Sequence, residues 1–119
     1  IKKLKDNKII VKSMYMLGSP DDTEETIKET IKYSKLLPNQ LVQFSIFTPY
    51  PGTPIFKKFE DIITVKKMED FNQYNLVFKH NKLNELKINH YKNFAYRKFY
   101  LDIKNFMIIL KTLKSFIIK

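Results

Sequence analysis

The fold is decided by residues 8–48. This stretch opens with Lys-Ile-Ile-Val-Lys-Ser-Met-Tyr-Met-Leu at 8–17 and closes with Leu-Val-Gln-Phe-Ser-Ile-Phe-Thr at 41–48. The first run is mostly apolar, with β-branched residues near its start, which is typical of a strand covered on both faces, as in parallel sheets,. It ends at the turn formers Gly-Ser-Pro-Asp-Asp, residues 18–22,.

The segment between these two runs predicts a helix over residues 23–37. Asp22 is expected to cap it, with Glu25 as the returning partner of a capping box. Acidic residues crowd its start and lysines come later, which complements the helix dipole,. One face of the helix carries Ile27, Ile31 and Ser34. Strand, helix and strand with short connections predict a parallel βαβ unit.

The second strand presents two different faces. Phe44 and Ile46 point to one side, where helices would cover them, and Gln43 and Ser45 point to the other,. In an α/β barrel this polar side looks inward, and it fits an open barrel that encloses a polar ligand. The loop Pro-Tyr-Pro-Gly-Thr-Pro at 49–54 then leaves the carboxyl end of the strand, where ligands bind in α/β folds,.

The second half of the chain predicts mainly helix. We expect helical turns at 55–59 and 67–74, an extended piece at 77–79, a helix from 83 and a final helix at 102–118. The apolar positions of the first of these two helices are Leu83, Leu86, Ile88, Tyr91, Phe94, Ala95 and Phe99. Those of the second are Ile103, Phe106, Met107, Leu110, Leu113 and Ile117,. We therefore expect residues 1–60 to form the end of an α/β domain and 61–119 a helical C-terminal extension.

The chain is basic, with 22 Lys+Arg against 12 Asp+Glu and a formal net charge of +10. All but Arg97 of the basic residues are lysines, and they are spread along the chain. This pattern favours a solvated basic surface over a nucleic-acid partner, since sequence readers favour the bidentate arginine fork.

Two features of the second half keep a binding role open. The last helix has a basic side and a wide apolar side, which Ile108, Ile109 and Ile118 extend. Such a helix can lie on an anionic membrane surface or pack against the preceding helix. Packing against the preceding helix is favoured. The lysines of the last helix are Lys104, Lys111, Lys114 and Lys119. The aromatic residues of 91–100 suit base stacking, but their helical spacing favours a core.

Cysteine is absent from these 119 residues, which rules out a disulfide, a thiol nucleophile and a cysteine-ligated zinc or iron–sulfur site within them,. His80 and His90 lie ten apart without a ligand at helical spacing, so we expect no metal site,. There is no signal peptide at the start and no apolar run of eighteen residues, so we expect a cytoplasmic protein. The chain begins at Ile1 in mid-pattern, which predicts a fragment of a longer protein.

Two motifs resemble those of radical S-adenosylmethionine (radical SAM) enzymes. Residues 15–23, Tyr-Met-Leu-Gly-Ser-Pro-Asp-Asp-Thr, resemble the family's strand-and-turn signature, in which a hydrophobic residue is followed by Gly-x-Pro-Gly-Glu-Thr. Residues 42–56, which contain Thr-Pro-Tyr-Pro-Gly-Thr-Pro, are similar to the next strand of that family and the loop after it. Residues 83–100 are similar to tail helices of the subgroup that carries a cobalamin-binding domain.

The resemblance implies the C-terminal portion of a partial (β/α)6 TIM-like barrel, its last two strands, followed by a helical tail. In this family a Cys-x-x-x-Cys-x-x-Cys loop near the first strand binds a [4Fe–4S] cluster that cleaves S-adenosylmethionine (SAM) reductively. Without cysteine, the present chain would be catalytically inactive alone. The cluster loop, and a cobalamin-binding domain if the protein has one, would precede Ile1.

The resemblance also implies site residues. The cofactor-binding positions would be Met14, Met16, Gly18, Phe47 and Thr48. Met16 would pack on adenine, Gly18 would let the backbone approach, and backbone groups near Phe47 would read the adenine edge. Gln43 and Ser45 would face the substrate. Where the family has Gly-Glu after the proline, this chain has Asp21-Asp22, so Asp21 must tolerate the turn's backbone angles,.

The sequence thus predicts the end of a radical SAM enzyme whose substrate, small or macromolecular, it does not specify. The alternatives are a basic module that binds nucleic acid or a membrane without catalysis, and a degenerate remnant of the enzyme with only a structural role.

Overall fold

The computed structural model describes residues 1–117, apart from the side chains of Lys5, Thr112 and 115–117. Its helices are α1 (Lys2–Asp6), α2 (Glu24–Leu36), α3 (Pro54–Phe59), α4 (Glu85–Tyr100) and α5 (Ile103–Ile117), and its strands are β1 (Lys12–Leu17) and β2 (Leu41–Ile46). Two short 3₁₀ helices, Glu60–Ile62 and Met68–Asp70, lie between α3 and α4.

The two strands form a parallel sheet with α2 as the crossing helix, which confirms the βαβ unit. In the register, Tyr15 lies opposite Phe44 and Leu17 opposite Ile46. The predicted first strand is too long, however, because Lys8 has a positive φ of 60° and breaks the extended chain before Lys12.

The core lies between one face of this sheet and two helices. Its buried members are Leu17, Ile27, Ile31, Val42, Phe44, Ile46, Leu83, Ile88, Ala95 and Phe99. Ile27, Ile31 and Ser34 are buried on α2, as the helical spacing predicts. The core therefore joins residues from both halves of the chain, so α4 packs directly on the βαβ unit.

The cap of α2 differs from the predicted one. Thr23 is the N-cap, and its hydroxyl accepts from the Thr26 backbone N–H while the Thr26 hydroxyl accepts from the Thr23 N–H. Asp22 stands one residue earlier, where its carboxylate accepts from the Thr26 hydroxyl at 2.8 Å. The prediction of Asp22 and Glu25 as the capping pair was therefore wrong by one residue.

The outer edge of β2 is occupied by side chains of α4. The Tyr100 hydroxyl accepts from the Val42 N–H at 3.2 Å and donates to the Val42 carbonyl at 3.0 Å. Likewise, the Tyr96 hydroxyl accepts from the Phe44 N–H at 3.0 Å and donates to the Phe44 carbonyl at 3.2 Å. The two hydroxyls thus satisfy backbone groups that would otherwise offer an edge to another strand. In the described chain β1 pairs with β2 alone, so the opposite edge of the sheet is open.

A second apolar cluster lies beyond the sheet. Phe71, Val77 and Phe78 are buried in it, and Phe47 and Phe56 pack against them. The predicted extended piece at 77–79 is present as an antiparallel bridge between Ile63 and Phe78.

The last two helices depart from the predicted packing. Leu86 on α4 is 82% exposed, so it does not belong to the buried stripe. On α5, the predicted apolar residues Ile103, Phe106, Met107, Leu110 and Leu113 are all exposed. Asn105 is buried and contacts α4, since its side-chain amide donates to the Phe99 carbonyl at 3.0 Å. The side chain of Ile117, and Ile118 and Lys119, lie outside the described residues.

No helix among the described residues has both the length and the apolar character that crossing a membrane requires.

Candidate functional site

One face of the sheet is left open by the helices, and it carries the predicted cofactor and substrate side chains. Met14 lies opposite Gln43 in the register and Met16 opposite Ser45. Partners in a parallel pair point to the same side, so these four side chains share one face. Met14 is 65% exposed and Met16 59% exposed. The expectation that the first strand is covered on both faces does not hold in this chain, because both methionines are more than half exposed.

The open face ends at Gly18, directly after β1. Gly18 is buried and has a φ of +75°, a conformation that L side chains rarely adopt,. A Cβ atom at this position would lie 2.9 Å from Cδ1 of Ile88 on α4. Both observations require glycine here, and the side on which a Cβ would project is filled by the Ile88 side chain.

The turn after Gly18 is closed by Asp22. The Ser19 N–H donates to the Asp22 carboxylate at 2.9 Å, and the Asp22 N–H donates to the Ser19 carbonyl at the same distance. Asp21 is not among the described residues with a positive φ. The turn therefore accepts Asp21 in place of the family's glycine without backbone strain.

The carboxyl ends of the two strands lie side by side. The Phe47 N–H donates to the Leu17 carbonyl at 2.9 Å, which places residue 47 beside the Gly18 turn. The Phe47 ring packs edge-on against Phe78 at a centroid distance of 5.7 Å, in the second apolar cluster. The hydroxyl of Thr48 donates to the Ile46 carbonyl at 3.1 Å. The ring and the N–H of Phe47 and the hydroxyl of Thr48 are therefore all engaged within the fold.

The proline-rich loop is rigid. Gly52 has a φ of +85°, and the Thr53 hydroxyl donates to the Tyr50 carbonyl at 2.6 Å. The same hydroxyl accepts from the Phe56 N–H at 3.2 Å and so caps α3. These two hydrogen bonds of Thr53 hold the loop that follows the end of β2.

Charged groups hold the first turn of α2 to α4. Glu24 accepts hydrogen bonds from Lys87 and from the Tyr91 hydroxyl. The bond from Lys87, followed by that from Tyr91, lowers the pKa of Glu24, and the bond to Glu24 raises the pKa of Lys87. The hydrogen bond to Glu24 likewise raises the pKa of Tyr91. Because the pKa of Glu24 is lowered, its contribution to stability is present above the carboxylate's ordinary pKa and is lost as the pH falls through the lowered value.

His80 is the residue of this region that sequence reasoning missed. It is 8% exposed, and its ring lies against the carbonyl of Ser19 behind the turn. The two residues are 61 positions apart, and no local pattern in the sequence connects them. Among residues 1–117, no three acidic or histidine side chains come together as a metal site.

The chain is similar to several characterised enzymes over part of its length. It is 31% identical, over 77 residues, to the anaerobic magnesium-protoporphyrin IX monomethyl ester cyclase of Rubrivivax gelatinosus, a match that covers 65% of this chain and 13% of that protein. It is 28% identical over 85 residues to the bacteriochlorophyllide d C-12(1)-methyltransferase of Chlorobaculum tepidum, covering 70% of this chain and 18% of that enzyme.

A shorter stretch is more similar to an uncharacterized methyltransferase of Pyrococcus horikoshii, with 44% identity over 43 residues, 36% of this chain and 9% of that protein. No protein-family model matches the chain. The chain therefore spans less than a fifth of the length of these relatives.

Proposed function

We propose that this chain forms the end of the barrel of a radical SAM enzyme, the part that faces SAM, with β1 and β2 as the last two strands. The proposal rests on the relation of the chain to the radical SAM enzymes. The observation that carries the proposal is the open face of the sheet. Met14, Met16, Gln43 and Ser45 share it, and Gly18 lies at its carboxyl edge.

The residues present fit the adenosine part of SAM. Exposed methionine side chains offer a soft apolar surface to an adenine ring. Gly18 lies at the carboxyl edge of this face, where the ligand would meet its backbone, and the space that a Cβ would take is filled by Ile88. Met16 would pack on the adenine, Met14 would border it, and backbone groups of Phe47 and Thr48 would bind its polar edge. When bound, SAM supplies the 5′-deoxyadenosyl group with which the family abstracts hydrogen from substrate.

The iron–sulfur cluster does not fit this chain. A [4Fe–4S] cluster is held by cysteine thiolates, and the chain contains none,. In the proposal the cluster is bound by a part of the protein that precedes Ile1, and a cobalamin domain, where present, lies there too.

The polar residues of the open face have a separate role in the proposal. Gln43 and Ser45 lie on β2, beside the methionines of β1, and both are half-buried. They would orient the substrate by hydrogen bonds next to SAM.

The edges of the sheet support the same assignment. The outer edge of β2 is taken by Tyr96 and Tyr100, as expected for the last strand of an open barrel. The edge of β1 is open in the described chain, and an earlier strand of the barrel would pair there,.

The proposal is tested on the full-length gene product. We expect a Cys-x-x-x-Cys-x-x-Cys sequence within roughly two hundred residues upstream, about the length of a domain. After anaerobic cluster reconstitution and reduction, the protein should convert SAM to 5′-deoxyadenosine. An upstream reading frame without the three cysteines, or a reconstituted protein that leaves SAM intact, would contradict the proposal.

A second candidate function is contact with an anionic membrane through α5. The observation that favours it is an exposed apolar face on a helix without acidic residues: Phe106 is 53% and Leu113 53% exposed, and Lys104, Lys111 and Lys114 lie on the same helix. Apolar burial and lysine attraction to anionic headgroups together bind such helices at a lipid surface.

A further inference from the structure

His80 makes three hydrogen bonds although it lies in a loop. Its Nδ1 lies 3.1 Å from the backbone nitrogens of Lys82 and Leu83. Both of these are N–H donors, so Nδ1 must be the acceptor and the ring proton must be on Nε2. Nε2 lies 2.8 Å from the Ser19 carbonyl and therefore donates to it. The buried neutral ring thus links the loop before α4 to the turn after β1.

The peptide group between Ser19 and Pro20 can form hydrogen bonds only through the Ser19 carbonyl, which is the group that His80 binds. The next residue is Pro20, which has no N–H,. The Ser19 carbonyl is held by His80 on one side and by the Asp22 N–H on the other. The preceding peptide is held as well, because the Ser19 N–H donates to the Asp22 carboxylate. The backbone directly after Gly18 is therefore held from two sides, by Asp22 within the turn and by His80 from behind it.

The same segment supports the turn at two further points. The Lys82 ammonium donates to the Asp21 carbonyl at 3.3 Å. The side chain of Ile88 packs on Gly18 so closely that a Cβ would clash. The ring of His80 is itself fixed by Phe78, at a centroid distance of 5.9 Å. The segment from His80 to Ile88 thus contacts the turn at Gly18, Ser19 and Asp21.

We propose that His80 is a positioning residue for SAM: by holding the Ser19 carbonyl it fixes the Gly18–Ser19 backbone in the orientation that meets the adenosine. The inference rests on the proposed function, because it takes the Gly18 turn as part of the SAM site. His80 acts from behind the turn, through Ser19, and does not touch the cofactor.

Two isosteric variants separate the two hydrogen-bonding ends of the ring. In His80→Asn the side-chain oxygen replaces Nδ1 and keeps the bonds from Lys82 and Leu83, but the donor to Ser19 is lost. In His80→Gln the side-chain nitrogen replaces Nε2 and keeps the donor to Ser19, but the local acceptor is lost. His90→Asn is the matched control, because His90 is exposed on α4.

The measurement is equilibrium binding of SAM to the full-length reconstituted protein, together with amide exchange of a peptide covering residues 17–22. A lost hydrogen bond corresponds to roughly a 3- to 10-fold change in an equilibrium constant. We expect His80→Asn to raise the Kd for SAM by about that factor and to speed exchange in the turn. His80→Gln should bind SAM within about 3-fold of wild type, and His90→Asn should not differ from wild type.

The outcomes separate this inference from the proposed function. If the wild-type protein does not bind SAM, the proposed function fails and the role of His80 fails with it. If the wild type binds SAM and His80→Asn binds it equally well, only the positioning role is overturned. Equal losses in both variants, in parallel with lower melting temperatures, would assign His80 to loop stability and would also overturn the positioning role.

Discussion

Gly18 lies where the end of β1, the turn and the side of α4 meet. Its φ of +75° is costly for any residue with a Cβ, and Ile88 occupies the space that a Cβ would need,. Gly52 has a similar φ of +85°, but among the described residues, its chain neighbours aside, no atom lies within 4 Å of the position that a Cβ would take. The two glycines therefore separate the backbone cost of a substitution from its steric cost.

We predict that Gly18→Ala is more disruptive than Gly52→Ala. Each pays a backbone cost of about 1–2 kcal/mol, and Gly18→Ala adds overpacking of about 1–3 kcal/mol. The measurement is amide exchange in the full-length protein, on peptides covering residues 15–22 and 49–56. Local protection should fall further at Gly18→Ala, and SAM binding should weaken there alone.

Shortening Ile88 provides a control for this explanation. Ile88→Val removes Cδ1, the atom nearest to the added Cβ. The double variant Gly18→Ala/Ile88→Val should recover part of the lost protection, since residues in contact do not add independently. Equal effects of the two glycine substitutions, or no recovery in the double variant, would show that contact with Ile88 does not constrain Gly18.

At the scale of elements, α5 is the helix whose predicted apolar residues are exposed instead of buried. The helix contacts α4 through Asn105, but its predicted apolar residues Ile103, Phe106, Met107, Leu110 and Leu113 are exposed. The helical period in the sequence showed that an apolar stripe exists, but a period does not identify the surface that covers it.

We predict that α5 contributes to binding of anionic vesicles if the membrane role is correct. The variant Lys111→Glu should weaken sedimentation of the full-length protein with anionic vesicles, because it removes an attraction of about 1 kcal/mol per lysine and adds a repulsion. The matched control is Lys57→Glu on α3, which is also exposed. Equal binding to anionic and zwitterionic vesicles, or equal effects of both variants, would rule the membrane role out.

The edge of β2 shows another limit of sequence reasoning at this scale. The spacing of Tyr96 and Tyr100 placed both on one face of a helix, and their stacked rings have an interplanar angle of 8°. That their hydroxyls satisfy Val42 and Phe44 follows only from the tertiary packing of α4 on the sheet.

For the whole molecule, the sequence was sufficient wherever local periodicity determines burial. Phe44 and Ile46 face the core, as the alternation of β2 predicted, and the relatives confirm the resemblance to radical SAM enzymes. The sequence was insufficient where a contact spans many residues. The link from His80 to Ser19 joins positions 61 apart, and local propensity carries no information about it.

The cofactor positions remain predictions at this scale. Met14, Met16 and Gly18 lie together on the open face and at its edge, and residues 47 and 48 follow β2 beside them. The ring of Phe47 belongs to the second apolar cluster, so its predicted contact is restricted to backbone. This arrangement makes the central claim directly measurable: the open face of the sheet is where SAM binds.

The most direct test is amide exchange of the full-length reconstituted protein with and without SAM. We predict that SAM protects peptides covering residues 12–19 and 41–48 and leaves the peptide covering α5 unchanged. Protection elsewhere in a protein that binds SAM, with residues 12–19 and 41–48 unaffected, would contradict the account.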